Sequence, residues 1–224
     1  MEITMMNKTT KDIISDIATV IRPLFESKGF TFKKNYFESS DDSGNIYQYE
    51  INLSKNKGYF SLHLRLKLLN KYLMRDVNSV LEKALRDSSY KYHSNWSEGD
   101  IEASIKTRTN DYCVSMITDW RCFKNEDESL DEFRKRFSIW MCVFNDINEV
   151  NNWEKQLTES VELSLSWFSA IGSDEWIIEN TLYPALLVLK RIKPDKLDEK
   201  YKFILSKVRS ENEAKLFFNY LNNT

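Results

Sequence analysis

The sequence predicts an α+β protein: a mainly antiparallel sheet of about five strands, ordered α-β-β-β-α-β-β, followed by a C-terminal helical region. Three observations carry this expectation. Residues 9–29 repeat apolar side chains at helical spacing. Residues 30–68 change to a period of two. From Ser129 onward the three-and-four spacing of helices returns, and no Pro/Gly/Ser-rich linker separates the halves.

The first helix places Ile13, Ile14, Ile17, Val20, Ile21, Leu24 and Phe25 on one face. Thr9 and Asp12 have the spacing of a capping box, in which each group satisfies the other's free backbone donor. Pro23 is expected to kink or restart this helix, and Gly29 fits its C-terminal stop.

Residues 30–38, "FTFKKNYFE", are expected as one strand; "SSDDSGN" turns the chain, and "IYQYEINLS" forms a second. After "KNKG" comes the clearest strand pattern, "YFSLHLRLKL", where Phe60, Leu62, Leu64, Leu66 and Leu68 alternate with polar residues. A helix near 73–86 follows, with Leu73, Val77, Val80, Leu81, Ala84 and Leu85 on one side. "IEASIKT" and "DYCVSMITDWRCF" are expected as two further strands around "RTND".

The remainder is expected to be helical. Ser129 and Glu132 have capping-box spacing ahead of Leu130, Phe133, Phe137, Trp140, Met141, Phe144 and Ile147. A second helix carries Trp153, Leu157, Val161, Leu165 and Phe168 before Gly172. Shorter helices are expected near 174–192, 196–208 and 211–222, with Pro184 and Pro194 as starts or breaks. The expected division is a sheet domain over 1–125 and a helical region over 126–224 that packs on it as one compact unit.

Composition narrows the function classes. With 42% hydrophobic and 13% aromatic residues the chain belongs among folded proteins. A net charge of −2 supplies no global attraction to nucleic acid or to an anionic membrane. The N-terminus "MEITMMNKTTKDIISD" lacks the basic start and apolar run of a signal peptide, and no apolar stretch approaches bilayer-spanning length. Cys113, Cys122 and Cys142 are odd in number and show no C-x-x-C spacing, which suits reduced thiols and a cytoplasmic location.

Catalytic patterns are sparse. Metal-dependent nucleases with this strand order place acids on the second and third strands. Here Glu50 stands on the second, but "FSLHLRLKL" has no carboxylate, and a hard cation needs several oxygen ligands. Gly29, Gly44, Gly58, Gly99 and Gly172 are too far apart for a phosphate-cradling loop or a G-x-S-x-G elbow. "SKNK" at 54–57 has S-x-x-K spacing but lies in a turn, where Lys is not one helical turn from Ser. No local signature joins His63 or His93 to a cysteine. The acidic run "NEDESLDE" sits where a helix dipole favours carboxylates. No catalytic residue, metal or cofactor is expected.

Two groups remain as candidate partner-binding residues. Keeping the apolar faces together pairs Ile51 with Leu62 and Phe32 with Ile51, which aligns Lys33, Glu50 and His63 in one cross-strand row and Asn35, Gln48 and Arg65 in another. From Ile51 to Arg75 there is no carboxylate, while Arg65 and Lys67 continue a basic series. Such a face either receives an acidic partner or is the solvated side of a one-sided sheet with an ordinary ion pair. The second group is the connector "SSYKYHSNWSEGD", residues 88–100, expected to join the second helix to the fourth strand. Its Tyr90, Tyr92, His93 and Trp96 are either interface anchors or a lid over the core beneath them.

The stretches "LFESKGFTFKKNYF", "YQYEINLSKNKGYFSLHLRL" and "TDWRCF" resemble a bacterial domain family of unknown function. Gly29, Phe30, Lys33, Ser54, Lys55, Phe60 and Trp120 carry the likeness, over roughly residues 10–170. Arg121 stands where a second aromatic is expected, and the first turn is longer. The resemblance implies a bacterial protein of the kind found near toxin, immunity and defence genes, and assigns no catalytic residue. The leading expectation is therefore a non-enzymatic protein-binding module, of the immunity type that neutralises a toxin. The alternatives are an adaptor or nucleic-acid-associated module using the basic third strand, and an enzyme whose site forms only in three dimensions.

Overall fold

The computed structural model describes residues 8–223, so part of the leader reading, residues 1–7, lies outside the described range. It is α+β, with a six-stranded antiparallel sheet in the order β1-β2-β3-β4-β5 and β6 paired to β4. By internal contacts the chain divides into two compact units, each built from two separated stretches. One contains the residues up to Leu68 with Met116–Ala170; the other contains Leu69–Ser115 with the residues from Ile171. The expected boundary at 125/126 falls inside the first unit, because residues 141–170 return to the sheet.

In the first unit, α1 (Thr10–Glu26) begins with the expected box: Thr9 Oγ1 accepts from Asp12 N, and the Asp12 carboxylate accepts from Thr9 N. Pro23 is accommodated within α1. Gly29 adopts φ +80° just past the end, and Phe30 N reaches back to Phe25 O at 3.1 Å.

The strand expected over 30–38 is instead a hairpin. β1 (Thr31–Lys33) pairs antiparallel with β2 (Tyr36–Ser40), and Lys33 faces Tyr36 across the two-residue turn Lys34–Asn35. Lys34 takes φ +54°, a conformation the sequence does not announce because the turn holds no glycine. β3 (Asn45–Asn56) pairs with β2, and β4 (Tyr59–Asn70) is the long expected strand. Phe25 lies at the centre of this core, 4.7 Å from Phe37, 5.0 Å from Tyr49 and 5.1 Å from Phe30.

After β5 (Cys113–Ile117) comes a 3-10 turn, Trp120–Phe123, rather than more strand. Trp120 is fully buried and donates its Nε1–H to Leu64 O at 3.0 Å. α4 (Leu130–Arg136) starts on the expected Ser129/Glu132 box but ends at Phe137. A 3-10 turn, Ser138–Trp140, then leads into β6 (Met141–Phe144). The long helix expected over 130–147 is therefore corrected. The 3-4 spacing of Phe133, Phe137, Trp140 and Phe144 arises because α4, the junction residue Phe137, the 3-10 turn and β6 each turn one ring inward; all four rings are buried. α5 (Trp153–Ala170) packs on α1, and its Ser160 hydroxyl meets the Tyr49 hydroxyl at 2.7 Å.

In the second unit, α2 (Lys71–Arg86) starts at Asn70, whose Oδ1 accepts from Leu73 N. "IEASIKT" is not a strand but part of α3 (Glu98–Thr109). Ser97 and Asp100 form a capping box at its start, and that local preference outweighs the alternation of Ile101, Ala103 and Ile105, of which only Ile105 is buried. α6 (Asp174–Asn180), α7 (Tyr183–Ile192), α8 (Leu197–Leu205) and α9 (Glu211–Asn222) complete the unit. α2 packs against α3, α7 and α9.

Candidate functional site

The polar face of the sheet forms from alternation along β3 and β4. Tyr49, Ile51, Leu62, Leu64 and Leu66 turn inward and are fully buried, so Glu50, His63, Arg65 and Lys67 turn to the opposite face. The expected row Lys33–Glu50–His63 does not form. β3 pairs with β2 and not with β1, so Glu50 stands opposite Tyr36, and Gln48 opposite Glu38. The added hairpin moves β1 one strand further out. Lys33 then pairs with Glu38 at 2.5 Å, while Gln48 Nε2 donates to the other Glu38 oxygen at 3.0 Å.

Three of the candidates do come together. Lys67 Nζ lies 2.9 Å from Glu50 Oε2, as a charge contact without hydrogen-bond alignment. Arg65 Nη1 approaches the same oxygen only to 3.8 Å, beyond hydrogen-bond range. Arg65 Nε is buried and has no hydrogen-bond partner, although 32% of the side chain is exposed. This cluster holds two cations and one carboxylate, and its hydrogen-bonding capacity is incompletely used.

His63 stands apart from the cluster. Its Nε2 meets Thr118 O at 2.9 Å, and its ring lies edge-on to Trp140 at 6.5 Å. Across the ladder it faces Met141, and Ser61 faces Val143. Residues directly opposite share a face, so Met141 and Val143 extend the surface of His63 and Arg65. Met141 is 55% exposed, Val143 67% and Tyr59, at the start of β4, 52%. Expecting a helix over 130–147 hid this apolar half of the face. The available signal was the alternation in "MCVF", which turns Cys142 and Phe144 the other way.

The connector belongs to the second unit and joins α2 to α3, not to a strand. Tyr90 Oη donates to Glu213 Oε2 at 3.0 Å, and Tyr92 Oη donates to Leu85 O at 2.9 Å. The backbone is tied as well: Lys91 N donates to Asn212 Oδ1, and Asn212 Nδ2 donates to Ser89 O. Tyr90 and Tyr92 rings lie 4.6 Å apart, Tyr92 and Trp96 5.9 Å, and His93 and Trp96 5.6 Å. Burial, then the Glu213 charge, raises the Tyr90 hydroxyl above the ordinary phenol value; burial also raises Tyr92. The two tyrosines thus cover helices of their own unit. Ser88, Ser89, Lys91 and residues 93–97 are exposed, with His93 and the 39%-exposed Trp96 the ring-bearing groups among them.

Burial pushes the Cys142 thiol up to about 12, which keeps it protonated at neutral pH, and none of the three cysteines forms a disulfide. Among the described residues no group of three His, Cys, Asp or Glu side chains gathers as a metal site, and no helix is long and apolar enough to cross a membrane. A cleft of about 850 Å³ in the first unit is lined by ionic side chains, and Arg136 there pairs with both Glu128 and Glu159. No protein-family model, curated protein or solved structure matches the chain.

Proposed function

We propose that the chain is a non-enzymatic protein-binding module, and that its contact surface is the outer face of the sheet in the first unit. The Arg65–Glu50–Lys67 cluster carries this reading. Arg65 keeps 32% of its side chain exposed and approaches Glu50 only to 3.8 Å, so the exposed part of its planar fork can turn to a carboxylate supplied from outside and bind it with two aligned bonds. Beside it, Met141, Val143 and Tyr59 supply exposed apolar area on the same face.

A partner with a carboxylate and an apolar residue suits this surface better than nucleic acid does. Glu50 already offsets one of the two cations, which leaves little of the local field that phosphate backbones require. An immunity-type protein that neutralises a bacterial toxin is the specific form of this proposal. Three cysteines, none in a disulfide, agree with a cytoplasmic site of action.

The test is quantitative capture of a binding protein from the native host by immobilised full chain, comparing wild type with Arg65→Met. Glu50 keeps Lys67 at 2.9 Å after the change, so the cost to stability is expected to stay within about 1 kcal/mol, which a urea midpoint checks. Capture should fall at least about tenfold, the loss of one charged contact. Equal capture by the variant would count against the outer face. Rescue of host growth on co-expression with the captured protein would support the toxin form.

A further inference from the structure

We infer that the free edge of β6, Met141–Phe144, is a strand-addition site for a short extended segment of a partner protein with aliphatic side chains at alternate positions. β6 pairs with β4 over Phe60–His63, and the sheet gives it no second neighbour among the described residues. An edge strand directs the N–H and C=O of every second residue away from its neighbour, which is a template for another strand.

Natural edges are guarded by lysine, proline, bulges or a cover. The opposite edge fits that rule: β1 has three residues and runs into Lys33 and Lys34. β6 carries no charge and no proline, and its four pairs with β4 run without a bulge. It is also held firmly from within. Phe144 is buried and its ring stacks on Phe60 at 5.8 Å, so the strand is preformed. Its other side chains, Met141 and Val143, are among the most exposed apolar groups of the described residues.

The length of the edge selects the occupant. Four extended residues span roughly 13 Å. At both ends amides are already used: Met141 N donates to Ser138 O, and just beyond the strand Asn145 N donates to Glu149 Oε2 at 3.0 Å, so the available edge is centred on Val143. Pairing over so short a run buries far less than the roughly 1,000 Å² that a stable complex of two folded copies requires. A linear segment gains its affinity from backbone bonds and its selectivity from alternate side chains. Those side chains would lie beside Met141 and Val143, so aliphatic residues suit them.

This inference rests on the protein-binding reading and shares Met141 and Val143 with it; what it adds is backbone pairing, so a peptide that loses only backbone donors lets the two fail separately. The experiment titrates the labelled full chain with a capped nine-residue peptide of alternating valine and serine, followed by backbone amide NMR. A peptide of the same sequence, N-methylated at alternate residues to remove one row of donors, is the control. The expected result is shifts centred on Met141–Phe144, at least tenfold weaker binding of the N-methylated peptide, and at least tenfold loss in Val143→Lys. Equal binding of both peptides, shifts elsewhere, or no binding would overturn the inference. Sedimentation showing a dimer that Val143→Lys dissolves would assign the edge to a second copy and overturn it too. A host partner whose capture falls with Arg65→Met but not with Val143→Lys would leave the outer face standing without the edge.

Discussion

The Tyr90 hydroxyl donates to Oε2 of Glu213, 123 residues along the chain, at 3.0 Å. Glu213 is 7% exposed and also accepts from Arg108 Nη2 at 2.7 Å and Tyr183 Oη at 3.1 Å, both through its other oxygen. Its place in the first turn of α9 adds the favourable end of the helix dipole. The aromatic connector is therefore part of the scaffold of the second unit, and its tyrosines are not free anchors.

Tyr90→Phe should lower stability by about 1–2 kcal/mol, because it leaves one oxygen of a buried carboxylate without its donor. Tyr92→Ala should cost about 2 kcal/mol or more, since two ring contacts and the bond to Leu85 are lost together. Trp96→Ala should cost less than Tyr92→Ala, about 1 kcal/mol, as the ring is 39% exposed and no hydrogen bond among the described residues ties it to the helices beneath. Urea midpoints of the three variants check this order. A Trp96→Ala effect larger than that of Tyr92→Ala would mean the connector is held by its tip.

Asp41 should account for part of the acid limb of stability. Burial acts to raise its pKa, but bonds from Tyr47 Oη, the Asn45 side chain and the backbone amides of Asn45 and Ser43 outweigh it, so the value is lowered. A lowered folded value means the stabilisation is present above about pH 4, the unfolded value, and is lost as pH falls through the folded one. Asp41→Asn should thus be less stable at pH 7 and show a smaller further loss down to pH 3. Thermal midpoints across that range read both. An unchanged slope would contradict the assignment.

Lys34→Gly should be neutral or stabilising by up to about 1 kcal/mol, because glycine takes a positive φ without a Cβ clash. Lys34→Val should destabilise by a similar amount through its branched Cβ. Chemical denaturation of the pair is sufficient. Equal effects would mean that the turn relaxes to another conformation.

Residues 1–125 expressed alone should melt without cooperativity. The cut removes β6 from β4, and with α5 it removes the Ser160 partner of the Tyr49 hydroxyl and the packing on α1. A calorimetric scan checks it, and a sharp transition would show that the sheet needs neither.

These outcomes bear on how far the sequence could be read. Where one face of a long element is apolar, as in α1, β4, α2 and α5, periodicity alone locates it. It fails where local chemistry overrides period. Ser97 and Asp100 start a helix over an alternating stretch, and Lys34 makes a turn without glycine. Four rings spaced like a helix are spread over three short elements and the junction residue Phe137. The candidate face was legible as far as Glu50, Arg65 and Lys67, because alternation places them on one side whatever the register. Its apolar half was not, since Met141 and Val143 take their place only through pairing with His63 and Ser61, far earlier in the chain.

The most direct measurement of the central claim is hydrogen exchange of the full chain, alone and bound to the protein it captures from its host. Binding through the outer face predicts slowed exchange in residues 46–52, 59–67 and 141–144, with no change over 88–97. Protection confined to 88–97, or capture no greater than that of denatured chain, would contradict it.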